Sequence, residues 1–168
     1  LRSILHWILP FASTSMRANP VLTIVAFIFH FCLIAAPIFL FAHIILLKEA
    51  WGISWWYMPD AVADVMTILV ILGCLFFLAR RILHKTVRYL STAGDFVLLI
   101  IVAAPFITGF WTYHQWYGHD ISGILHMLSG ELMIACIPFT RLFHMVIFPF
   151  SRGYAGSEFG GVRHAKDW

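Results

Sequence analysis

The sequence predicts an all-α integral membrane protein, a bundle of four transmembrane helices, and three observations carry that prediction. The 168 residues are 61% hydrophobic and 11% charged, whereas soluble domains carry charge on roughly a quarter of their residues. The apolar residues fall into four long runs, each close to or above the roughly 20 residues needed to cross a hydrocarbon core. Histidines recur inside those runs, where ionisable groups are costly and mark function. The cysteines indicate neither a disulfide framework nor an iron–sulfur or zinc site. Cys32, Cys74 and Cys136 each stand alone in an apolar run without CxxC spacing and read as small core residues. Nothing in the composition suggests a nucleic-acid partner; membrane lipid is the solvent.

Residues 1–20 form an interfacial lead-in. Trp7, Ile8, Leu9 and Phe11 are mixed with Arg2, His6 and Arg17, and Pro10 and Pro20 interrupt a stretch already too short to span. The chain starts at Leu1 with neither a basic signal region nor a small-residue cleavage site, which leaves room for preceding sequence. The bundle occupies residues 21–150. Its first segment runs from Val21 to about Leu47 and is broken only by Pro37. A polar and aromatic connector, Lys48 to Asp60, leads to a second segment at about 61–78 that ends in Arg80 and Arg81. The third runs from about Asp95 to Trp111, with Asp95 suited to cap its N-terminus and meet the helix dipole. The fourth, about 121–150, is expected as one helix. Residues 151–168, with Gly153, Gly156, Gly160 and Gly161 among polar side chains, form a tail that leaves the membrane with no strong element signal. No internal repeat is evident.

Charge fixes the orientation. Arg2, Arg17, Arg80, Arg81, Lys85, Arg88, Arg152, Arg163 and Lys166 fall on one side, with Arg141 close to it, and only Lys48 on the other. The positive-inside rule makes the first side cytoplasmic, as in a multi-pass protein of the cell inner membrane. Trp55, Trp56, Tyr57, Trp111, Tyr113, Trp116 and Tyr117 form an aromatic belt at the opposite interface.

Four histidines then suggest a cofactor. His126 and His144 lie 18 residues apart in the fourth segment, about five turns and about 27 Å of rise on an unbroken helix, so both leave one face at opposite depths. His30 and His43 lie 13 residues apart in the first, about 20 Å of rise. The two segments run antiparallel, which matches His30 with His144 and His43 with His126 in depth. Two bis-histidine sites for two b-type hemes follow, each imidazole binding iron through one nitrogen and placing its other N–H on a carbonyl or polar neighbour. The 13-residue spacing turns His30 and His43 about 220° apart on an ideal helix, and Pro37 between them is expected to kink or unwind it. Two other readings stay open: a single-heme subunit lacking the site that uses His43, and a non-heme membrane anchor whose histidines pack or relay protons. His84 and His164 fit solvated surface roles.

The stretch LHMLSGELMIACIPFTRLFH resembles the last helix of the respiratory nitrate reductase gamma subunit family. Leu125, His126, Gly130, Pro138, Phe139, Thr140, Arg141, Leu142 and His144 carry that pattern. Arg80 to Leu99 resembles the family's basic loop and entry to the next helix, and Glu49-Ala50-Trp51 its outer loop. The resemblance covers roughly residues 25–150 and is nearer to the cytochrome b subunits of heterodisulfide-reductase-like and sulfate-reducer transmembrane redox complexes. It implies two b-type hemes on the four histidines, a quinone or quinol as substrate near the outer heme, and electron transfer to a cytoplasmic iron–sulfur subunit of heterodisulfide-reductase-like type. Other membrane subunits or periplasmic cytochrome c subunits are further partners it implies. The family spaces its first two histidines more closely, has a spanning helix before them, which would be a fifth here, and carries a lysine at the quinol site. This chain offers Asp60 and Asp64 there instead.

Asp60, Asp64 and Glu131 are therefore the quinone-site candidates. Glu131, five residues after His126 inside an apolar helix, either carries quinol protons or hydrogen-bonds within the bundle. Arg141 either pairs with a propionate of the inner heme or snorkels to the interface. His114, His119 and Asp120 flank the outer site, as proton exchangers or as a solvated loop. Trp55, Trp56 and Tyr57 read as interface anchors. The expected function is that of a di-heme electron-transfer subunit of a quinone-interacting oxidoreductase complex.

Overall fold

The computed structural model describes residues 2–116 and 118–165, and is all-helical with no strand among them. Tyr117, Lys166 and the side chain of His119, all invoked above, lie outside the described residues. The helices in order are α1 (Arg2–Ile8), α2 (Thr14–Ala18), α3 (Pro20–Phe39), α4 (Phe41–Trp51), α5 (Asp60–Leu83), α6 (Lys85–Leu90), α7 (Ala93–Tyr113), α8 (His119–Cys136) and α9 (His144–Ala155). A 3₁₀ turn, Arg141–Phe143, precedes α9, and a π-helical segment, Gly156–Val162, follows it.

Three helices, α3, α5 and α7, are long and apolar enough to cross a membrane, and a fourth crossing is available to the broken pair of α8 with the helical segment after it. Only 22–28% of each of the three spans is buried. Their apolar side chains mostly face outward, as they do where the surrounding medium is lipid or neighbouring apolar helices.

The chain divides into two compact units. The first joins residues 1–27 with 135–168. In it α1 packs on α9 and on the π-helical segment, and the Arg152 guanidinium lies 4.1 Å from the Trp7 ring centre, a cation–π contact that ties the two ends of the sequence together. The lead-in is thus two short helices. The tail, whose sequence carries no strong element signal, is helical to Val162. Its end is held by Arg163, which bonds the Glu158 carboxylate at 3.1 Å and stacks on Phe159 at 4.9 Å.

The second unit, residues 28–134, contains the core. Here α5 and α7 pack on each other, with Ala63, Met66, Val70, Cys74, Val102 and Phe106 buried. At the basic end, Asp95 is buried and accepts from the Thr92 N–H at 2.8 Å and hydroxyl at 3.0 Å, with Arg81 at 3.7 Å. The capping role read from sequence holds, and Arg81 adds charge compensation.

Two expected helices are broken, each near a proline. The first segment stops at Leu40, whose extended backbone separates α3 from α4, three residues after Pro37. The fourth is not one helix from 121 to 150: residues 137–140 are turns around Pro138, which lacks the N–H and crowds the carbonyl four residues back. Thr140 caps the break, donating to the Cys136 carbonyl at 2.6 Å and accepting from the Leu142 N–H at 3.2 Å. The expectation that His126 and His144 leave one face of a continuous helix, about five turns apart, is corrected accordingly.

The buried cap gives a direct test. Asp95→Ala removes the acceptor from Thr92 and the carboxylate beside Arg81, and should cost about 1–2 kcal/mol. The thermal midpoint in detergent should fall by about 2–8 °C, read by circular dichroism at 222 nm.

Candidate functional site

The break at Leu40 builds one half of the site. Ending a helix there frees the carbonyls of Pro37, Ile38 and Phe39 from their usual partners four residues on. All three are satisfied by side chains or backbone from further along. His43 Nδ1 lies 2.9 Å from the Pro37 oxygen, the Trp55 indole donates to Ile38 at 2.9 Å, and the Met58 N–H to Phe39 at 3.0 Å. Gly52, with φ +72, turns the chain after α4 so that the aromatic connector folds back on the break. Trp56 then meets Phe39 at 5.7 Å and Tyr57 meets Phe41 at 4.7 Å. These residues were expected as interface anchors, and here they also close the helix break.

The other half is built by α7 and α8. His126 Nδ1 lies 3.0 Å from the Pro105 oxygen, and Thr108 and Ser129 hydroxyls meet at 3.2 Å beside it. Gly109 is the seat of the ring: a Cβ there would stand 2.8 Å from His126 Cε1 and 3.0 Å from Nδ1. No side chain larger than hydrogen leaves the imidazole in place.

Together the two halves bring the His43 and His126 rings to 6.0 Å between centres, with their planes within 7° of parallel. A carbonyl only accepts, so each Nδ1 carries the proton and each Nε2 carries the lone pair. Two metal–imidazole bonds of about 2 Å, with each ring centre about 1 Å behind its nitrogen, put the centres of a bis-histidine site about 6 Å apart. The pair has that spacing, the tautomer a metal requires, and the outer N–H bonds that orient such ligands. His43 and His126 are the residues that would hold the iron of a heme bound here. His144 shares the same tautomer, with Nδ1 2.8 Å from the Arg141 oxygen.

The remaining residues are distributed as follows. His30, on α3, sits edge-on to Phe29 at 5.3 Å in the second unit, while His144 and Arg141 belong to the first. Glu131 is exposed on α8 and makes no hydrogen bond or ion pair among the described residues. Asp60 and Asp64 lie in the first turns of α5, where Asp64 Oδ2 approaches His114 Nε2 at 3.4 Å and Asp60 shares a hydrogen bond with the Tyr113 phenol. The sequence reading missed Pro105 and Gly109, although a proline and a glycine four apart on one face of an apolar helix are a legible signal of close approach. It left His114 as a proton exchanger or a loop residue, and the structure brings it to Asp64.

The chain is similar to a protein of Nitratidesulfovibrio vulgaris (strain Hildenborough), 38% identical over 159 residues that cover 95% of this chain and 70% of that one. It belongs to the same family as that protein. No family model and no solved structure matches the chain.

The Gly109 seat is testable without a cofactor. Gly109→Val should push the His126 ring out of its place, and modification of His126 by diethyl pyrocarbonate, mapped by mass spectrometry, should rise severalfold while the other histidines keep their reactivity.

Proposed function

We propose that the chain is a di-heme b-type membrane subunit that carries electrons between a quinone pool and a cytoplasmic iron–sulfur partner of heterodisulfide-reductase-like type. One observation supports this most: His43 and His126 stand parallel at 6.0 Å with both Nδ1 atoms on backbone carbonyls. A packing histidine needs one hydrogen bond; it has no need of a second imidazole opposite it at the separation of two ligands. On this reading His43 and His126 hold the outer heme, and His30 and His144 the inner one, with Arg141 near the inner propionates. When bound, such a heme supplies one-electron transfer without loss of a ligand.

The chain's own residues orient and insulate. The Pro37 and Pro105 carbonyls fix the ligand tautomer and ring direction. The folded-back aromatic connector closes the helix break that fixes His43. Asp60 and Asp64 stand at the quinone end of α5, with Glu131 the third candidate. At its other end α5 carries Arg80 and Arg81, followed by Lys85 and Arg88 around α6. This basic cluster suits an acidic docking face on the iron–sulfur subunit and, by the positive-inside rule, the cytoplasmic side of the inner membrane. The outward apolar faces of the bundle suit lipid, further membrane subunits or the membrane part of a periplasmic cytochrome c subunit.

A pyridine hemochrome assay with protein quantitation tests the reading. About two b-type hemes per chain are expected from the four histidine ligands, and His43→Ala or His126→Ala should each remove the same one of the two. Absence of a Soret band from the purified wild-type protein overturns it in favour of a non-heme anchor; an unchanged heme content in His43→Ala establishes the single-heme form.

A further inference from the structure

We infer that Asp64 and His114 are the hydrogen-bonding and proton-accepting pair for the quinol. This rests on the quinone reading above and assigns its site. His114 Nε2 is buried and has no hydrogen-bond partner among the described residues, although Asp64 Oδ2 is 3.4 Å away, out of line for a bond. A buried polar atom without a partner is destabilising and asks for an explanation. A ligand hydroxyl is one, since it can reach a nitrogen whose neighbouring carboxylate stands to the side.

The surroundings fit a flat aromatic ligand that enters from lipid. The His114 ring is walled by Phe110 at 4.3 Å, Tyr113 at 5.2 Å and Trp116 at 5.9 Å, the last inclined by only 29°. The titratable groups nearest to it are Asp64 and Asp60 from α5 and Tyr113 from α7. His114 lies five residues beyond Gly109, about 7–8 Å of helix rise from the seat of His126. A quinol there stands next to the proposed outer heme, with exposed Asp60 leading to water.

The pair gives each released proton a destination. Oxidation of a quinol to a quinone breaks two O–H bonds and releases two protons and two electrons. Nε2 of neutral His114 takes the protons in turn, the Asp64 carboxylate stabilises each imidazolium, and water beside Asp60 removes each proton before the next. A ferric b-type heme held by His43 and His126 would take the electrons one at a time, passing the first on to the second heme before accepting the other.

The test uses the purified full chain in detergent, titrated with a short-chain naphthoquinol under anaerobic conditions, with affinity measured by calorimetry. His114→Ala and Asp64→Ala should each weaken binding about tenfold, the loss of one hydrogen bond involving a charged or buried group. Heme content should stay at the wild-type level in both. His114→Gln, which keeps a hydrogen-bonding amide in place of the imidazole but cannot take up a proton, should bind the quinol yet reduce the heme severalfold more slowly than wild type. Unchanged affinity in both alanine variants, with heme present, overturns the site and leaves the electron-conduit reading standing. A wild-type protein without heme that still binds the naphthoquinol through His114 overturns the conduit and keeps the site.

Discussion

In a hydrocarbon medium a backbone carbonyl released from its helix must find a donor inside the protein, and this bundle meets that demand with imidazoles and an indole. Breaking the first long segment at Leu40 releases three carbonyls in succession, and the donors that reach them are His43, Trp55 and the Met58 backbone. The break is what fixes the direction of His43. A regular helix through residues 37–43 would leave the Pro37 carbonyl occupied by the Phe41 N–H and the imidazole without its anchor. On α7, which is unbroken, the Pro105 carbonyl holds His126 from within the helix. Both tautomers are consequences of backbone bookkeeping, and both leave Nε2 as the basic nitrogen.

Glycines do the complementary work of admitting rings between helices. Gly109 receives His126. On α5, a Cβ at Gly73 would stand 2.6 Å from the Phe29 ring, and Phe29 is buried edge-on to both His30 and Phe77. One glycine thus seats a histidine directly and another seats the aromatic neighbour of a histidine. In each case the missing side chain is as much a part of the arrangement as the ring that replaces it, because close packing leaves no spare methyl-sized space.

The class of the protein was legible because hydropathy and length decide whether a segment suits a bilayer, and neither depends on tertiary detail. Asp95 was legible as a cap because the rule that governs it is local, three residues deep. The pairing of His43 with His126 was reached by counting crossings and matching depth. What the sequence did not show was where the helices end. Pro37 announces trouble, but the break falls at Leu40, where the returning connector supplies the donors; Pro138 likewise divides what hydropathy alone joins from 121 to 150. The tail's glycines left no strong element signal, and Arg163 on Glu158 and Phe159 holds its last turns together. His114 and Asp64, 50 residues apart, meet only because α5 and α7 pack in register, which no local pattern encodes.

The second unit is chemically polarised along α5 and α7. One end collects Arg80, Arg81, Lys85 and Arg88, with Asp95 compensating Arg81; the other collects Asp60, Asp64, His114, Tyr113 and Trp116. Such a division separates two kinds of chemistry that would interfere at one place. Groups that accept protons need carboxylates and water nearby, and an imidazole beside a carboxylate accepts a proton more readily than one among arginines. A surface that recruits a negatively charged partner needs the arginines and no competing carboxylates. The His43–His126 pair lies near the acidic end, beside the seat that Gly109 provides. On the proposed reading, electrons and protons are thus parted at that end: protons return to water beside Asp60 while electrons travel inward along the histidine sites toward the basic face. The buried helix cap at Asp95 keeps that basic face in place, since it holds the first turn of α7 against the last turns of α5, and the two ends of the unit are set by the same pair of helices.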